Sequence, residues 1–158
     1  MDDNAAPRSG LPGAWDHLVG PGATTLENAG TVATAALGAV VGFTGGPPDR
    51  AWGPVRRGVA ALMGADLFGG VWANATPATT RWYHGRGQGP REVLAFSALH
   101  LHPFLVAALY RDRFWSFAFG NYAYLLASTA LVASAPAPQR RAVALVLCGG
   151  GVWLNTTV

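Results

Sequence analysis

Asp66, His84, His100 and His102 are the residues whose types and spacing could do chemistry. A carboxylate with neutral imidazoles makes a ligand set suited to iron, copper or zinc. The same groups can also give or take protons near neutral pH. Asp66 lies midway along the apolar stretch that follows Arg56 and Arg57. An ionisable residue in such a stretch is expensive and normally faces protein, with a partner. His100 and His102 form His-Leu-His-Pro. On a regular helix, residues two apart point about 200° apart, so both could not face one site. Pro103 removes the hydrogen bond to the Leu99 carbonyl and disfavours helical geometry at His102. A kink there is expected to aim both imidazoles one way. Asp66 and His84 would stand ~27 Å apart on an unbroken helix. Pro77 is expected to end the helix and let the following loop bring His84 closer.

These readings give an expected metal set of Asp66, His84, His100 and His102, with Asp66 and His100 catalytic. Asn74, Arg81, Tyr122 and Tyr124 are the expected substrate contacts. Glu27, Asn28, Tyr83 and Glu92 extend the polar group toward the side where the first span begins. Together they suggest a polar cavity running from mid-membrane to that side. Arg81 and His84 could hold an anionic headgroup there. There is no GxSxG, HExxH or paired-cysteine motif and no phosphate-cradling loop, so no nucleotide cofactor is expected. The one cysteine, Cys148, allows no internal disulfide and sits in an apolar run as a small packing residue.

The elements that must position these residues are apolar segments. Charged residues are only 12% of the 158, against about 25% in a soluble domain, while 51% are apolar. The charges cluster between stretches of membrane-spanning length. The fold expected is all-α: an integral membrane helical bundle of four or five transmembrane helices. The spans are read as 24–43, 55–76, 92–110, 114–135 and a short fifth segment, 142–154. Residues 1–22 are read as a flexible or interfacial segment, without the pattern of a cleaved signal peptide, and 23–158 as one transmembrane domain. Trp52, Trp82, Tyr83, Tyr110 and Trp115 fall near span ends, where amphipathic rings prefer the interface. The arginines divide almost evenly between the two sides, so they do not choose an orientation. Dispersed in loop clusters, they form no nucleic-acid stripe despite the net charge of +3.

The function expected is a small intramembrane enzyme, metal-dependent through Fe, Cu or Zn. Oxidation is favoured over hydrolysis, on a lipid-like or isoprenoid-like substrate. One alternative is metal-free acid–base catalysis of the terpene cyclase or isomerase type, with a buried protonated Asp66. Another is a non-catalytic proton or solute carrier or a membrane-complex subunit. Membrane lipids and a hydrophobic small molecule are the expected partners, with a homo-oligomer possible and no nucleic acid. The expected location is the cell membrane, multi-pass, as in a bacterial inner membrane.

Overall fold

A computed structural model describes residues 6–46, 51–84, 89–110 and 114–157. Every regular element among them is helical. The chain folds as two compact units, Met1–Gly87 and Gln88–Val158.

The first unit is built on a hairpin of α2 (Thr25–Thr44) and α3 (Pro54–Asn74), flanked by two short helices, α1 (Gly10–Val19) and α4 (Pro77–His84). Sequence dictates the hairpin's ends. Thr24 caps α2, accepting from the Glu27 N–H at 3.2 Å, while Glu27 Oε2 accepts from the Thr24 N–H at 2.7 Å. This reciprocal box satisfies two donors that a helix start otherwise leaves unpaired. Pro54 opens α3 at a position where the missing N–H is harmless. Between the ends, small residues let the backbones approach. A Cβ added to Gly38 would stand 2.0 Å from the Gly64 carbonyl oxygen, and one on Gly42 would stand 2.1 Å from that of Ala60. Gly69 faces the Ala35 methyl, and Gly30 faces the indole of Trp72. As one partner's number rises the other's falls, so the helices are antiparallel. Gly38-xxx-Gly42 against Ala60-xxx-Gly64 is the small-xxx-small packing of membrane helices.

The hairpin's outer surface is apolar. Leu26, Leu37, Val40, Leu62 and Val71 are all more than half exposed. Its two ends are polar. At the far end from Thr24, Arg56 lies over the Trp52 ring and Arg57 over Phe43, each 5.7 Å from the centroid. The 20 residues of α2 separate the two ends by ~30 Å, the thickness of a bilayer's hydrocarbon core.

The second unit contains α5 (Pro90–Ala98), α6 (His102–Tyr110), α7 (Phe114–Ser134) and α8 (Arg140–Thr157), with a 3-10 turn at Ala137–Gln139. Helix α7 packs against the other three. Phe104 meets Phe119 and Tyr122 at 5.3 and 5.4 Å between centroids, which joins α6 to α7. Tyr124 donates to the Leu147 carbonyl at 2.7 Å, and Asn155 to Asn121 Oδ1 at 3.0 Å, which joins α7 to α8. A Cβ on Gly150 would meet the Tyr124 hydroxyl at 2.4 Å, so this glycine makes room for the tyrosine.

Two stretches are long and apolar enough to cross a membrane, Thr25–Thr44 and Pro90–Tyr110. Only 17% and 11% of their most apolar windows are buried within the chain. The core helix of a soluble protein has the opposite character, with its apolar face covered. Helices α3 and α7, of 21 residues each, and α8, of 18, do not meet the same test of hydropathy and charge.

Candidate functional site

The third span is interrupted where the sequence suggests a kink. Helix α5 ends at Ala98, Leu99–Leu101 leave the helical path, and α6 begins at His102 with Pro103 in its first turn. The His100 N–H bonds to the Ser97 carbonyl at 3.0 Å and the Leu101 N–H to that of Leu99 at 2.9 Å, in place of regular helix bonds. The consequence is that residues two apart come together. The His100 and His102 rings lie 5.6 Å apart, centroid to centroid. Phe96 packs edge-on against His100 at 4.6 Å. His100 Nδ1 is 2.9 Å from the Phe96 carbonyl oxygen. That oxygen can only accept, so Nδ1 carries the proton and Nε2 keeps its lone pair.

The break is braced from α7. Tyr122 donates to the Ala98 carbonyl at 2.8 Å, a group whose usual helix partner is lost there. One helical turn earlier, Thr129 donates to Ser97 Oγ at 3.2 Å. His100 and His102 are both half-buried.

The remaining candidates are distributed differently. Asp66 stands on α3 in the first unit, in an exposed position. Asn74 donates back to the Gly70 carbonyl of its own helix at 2.9 Å. Arg81 is half-buried on α4, near enough to Glu27 for its charge to act on that carboxylate. His84 ends α4, and its side chain lies outside the described residues. Pro77 ends nothing further on: it opens α4, with Thr76 Oγ1 accepting from the Thr79 N–H at 3.3 Å. Among the described residues, no group of three or more His, Cys, Asp or Glu is placed to hold a metal ion.

The polar residues read as the mouth of a cavity form a hydrogen-bonded plug. Glu27 is buried and serves two helix starts at once. Besides Thr24, its Oε1 accepts from the Ala78 N–H of α4 at 3.0 Å. Its carbonyl accepts from Thr31 Oγ1 at 2.9 Å and from the Trp72 indole at 3.3 Å. Asn28 accepts from the Trp15 indole at 2.6 Å, which ties α1 down. Thr79 donates to the Val19 carbonyl at 2.9 Å, at the C-terminus of α1. Tyr83 donates to the His17 carbonyl, and His17 packs edge-on against Trp82 at 5.5 Å. Gly20 turns the chain with φ of 86°, and a Cβ there would strike the Ala78 carbonyl at 2.4 Å. Glu92, in the second unit, accepts from the Gly89 N–H at 2.8 Å and caps α5.

Arg8 and Asp16 form the ion pair that holds the start of α1. The Arg8 guanidinium donates to both carboxylate oxygens at 2.8 and 2.7 Å, and its backbone N–H adds a third bond at 2.9 Å. These donors, the side-chain bond first, hold the Asp16 carboxyl down to about 2. Burial pushes the Tyr83 phenol up. Sequence reasoning missed Thr76, Thr79 and the double role of Glu27. The Thr24-x-x-Glu27 spacing was the signal for half of that role.

The geometry defines a helical protein with an apolar exterior, a polar plug in one unit and a histidine pair at a helix break in the other. Comparison with protein-family models, curated proteins and solved structures finds no match for this chain.

Proposed function

We propose that the protein is a multi-pass helical membrane protein that acts on an apolar or amphipathic molecule within the bilayer. The His100–His102 pair is the polar group that meets that molecule. The observation that carries this reading is the surface of the span-length helices. Their large apolar side chains face outward, while polar groups gather at the hairpin's ends ~30 Å apart. In water such a surface would drive aggregation, whereas lipid covers it without penalty. An apolar substrate dissolved in that lipid would reach the helix break without crossing water. Two half-buried imidazoles there offer acid, base or ligand chemistry.

A second reading, a subunit without catalysis, draws on two observations. Glu27, Asn28, Tyr83 and Glu92 are each engaged in capping or bracing. Asp66 is exposed on α3, and an ionisable group in a span is stabilised by facing protein or water. A second subunit would supply that surface.

The test has two stages. Membranes containing the full chain are washed with alkaline carbonate and then treated with detergent. The chain should stay in the pellet and dissolve only with detergent; release by carbonate would sink the membrane reading. The membranes are then irradiated with a diazirine-bearing fatty acid. Label concentrated on residues 90–122 supports substrate access to the break. Even label over all spans marks bulk lipid only and favours the subunit reading.

A further inference from the structure

We propose that His100 and His102 form a binding site for a late first-row transition ion, copper or zinc, at the break between α5 and α6. This deepens the reading above at the same residue pair, by naming the cofactor class. Imidazole nitrogen is a preferred ligand of both ions. Metal–nitrogen bonds of ~2 Å place the centroids of two ligating rings about 5–6 Å apart, and these two are 5.6 Å apart. The separation needs little adjustment to admit an ion.

The tautomer also fits. A ligating histidine almost always donates its other ring nitrogen to a carbonyl or carboxylate, which fixes the ring and raises its basicity. His100 Nδ1 does this to the Phe96 carbonyl at 2.9 Å, leaving Nε2 as the ligating atom. The Phe96 ring at 4.6 Å restrains the imidazole from the side. The break is held from outside the pair, by Tyr122 on the Ala98 carbonyl, so the rings are oriented before any ion arrives. Two protein ligands leave coordination positions open to water or substrate, as catalytic rather than structural sites do. The ion's neighbours on α6 and α7 are Phe104, Phe119 and Tyr122, an aromatic wall suited to an apolar substrate.

The experiment uses untagged full-length protein in detergent. Cu2+ or Zn2+ is added alone, excess is removed, and metal is counted by elemental mass spectrometry. The copper form is examined by electron paramagnetic resonance. Wild type should retain one equivalent and show hyperfine coupling to two imidazole nitrogens. His100→Asn keeps a donor for the Phe96 carbonyl but loses the ligating nitrogen, and His102→Asn suits a helix start. Each should remove one nitrogen coupling. Each should also weaken binding by more than the ~10–100-fold typical of losing an outer-shell partner. Helicity by circular dichroism should be unchanged. His17 and His84 remain in every variant, so their contribution cancels. No stoichiometric metal on helical wild type, or an unchanged two-nitrogen spectrum in either variant, overturns the site. The fatty-acid labelling reports separately. Label at 90–122 without metal means that the metal inference alone has failed. Metal without such label means that the substrate reading has failed and the ion site stands.

Discussion

Single side chains in this protein are used mainly to end helices and join them, and two of them make measurable predictions. The Asp16 carboxyl is held at about 2 by Arg8, below the ~3.9 of an unfolded aspartate. A depressed folded value means that the pair's stabilisation is present above the unfolded value and is lost as pH falls through about 2. Between about pH 4 and pH 2, α1 should therefore detach first, read as a change in Trp15 fluorescence that Asp16→Asn abolishes by detaching α1 at neutral pH. Glu27 acts at two helix starts. Glu27→Ala would leave the buried Ala78 N–H without its acceptor, an expected loss of at least ~1–3 kcal/mol. Thermal unfolding in detergent should show it, and amide exchange should localise it to α4. The sequence made Glu27 and Tyr83 look like cavity residues because a polar group near a span end reads alike whether it meets a ligand or a backbone. What distinguishes them is a partner far along the chain: Ala78 for Glu27 and His17 for Tyr83. No local pattern encodes that pairing. The histidine pair was legible, because Pro103 acts on its immediate neighbours by steric rules that hold in any context.

At the scale of elements, the long helices were legible and the short ones were not. Apolar runs bounded by Pro and Gly place α2, α3 and α7 within a residue or two of their ends. Helix α8 extends past the apolar run at both ends, since Arg140 and Asn155 can snorkel while the backbone stays helical. Helix α1 contains Gly10, Pro12 and Gly13, which argue against a helix locally. The tertiary bonds of Asp16 and Trp15 decide otherwise. The α2–α3 contact yields a paired prediction. Gly38→Leu would drive a side chain into the Gly64 carbonyl, where a Cβ alone stands 2.0 Å away. The backbones must part, and destabilisation of ~1–3 kcal/mol or more is expected from overpacking. Gly70 on the same helix has open space around its Cβ position. Gly70→Ala should be neutral or stabilising by up to ~1 kcal/mol, from helix propensity alone. Equal effects of the two substitutions on thermal unfolding would show that the glycine contact does not hold the hairpin.

For the whole molecule, the question is how many times the chain crosses the bilayer. Two stretches meet the length and hydropathy test on their own. Helix α3 carries Arg56, Arg57 and Asp66, yet Gly38, Gly42, Ala60 and Gly64 lock it along the length of α2. A helix packed backbone to backbone against a span shares its depth, so if α2 crosses, α3 crosses with it. The same reasoning reaches α7 from α5 and α6 through Phe104, Tyr122 and Thr129. It reaches α8 from α7 through Tyr124 and the Asn121–Asn155 amide pair. An amide pair between helices is most useful in lipid, where the alternative is an unpaired polar group. The 18 residues of α8 extend ~27 Å, enough for a thin bilayer or one locally drawn in. Counting α5 and α6 as one broken span gives five crossings, and an odd number puts the chain's two ends on opposite faces. Reporter tags at residues 1 and 158, probed with a membrane-impermeant reagent in sealed vesicles, should react from opposite sides. Tags on the same side would mean that α8 enters and leaves by one face. The Asn121–Asn155 contact would then lie near the surface, and Asn155→Leu, expected to weaken the α7–α8 contact in a five-span protein, should leave stability unchanged.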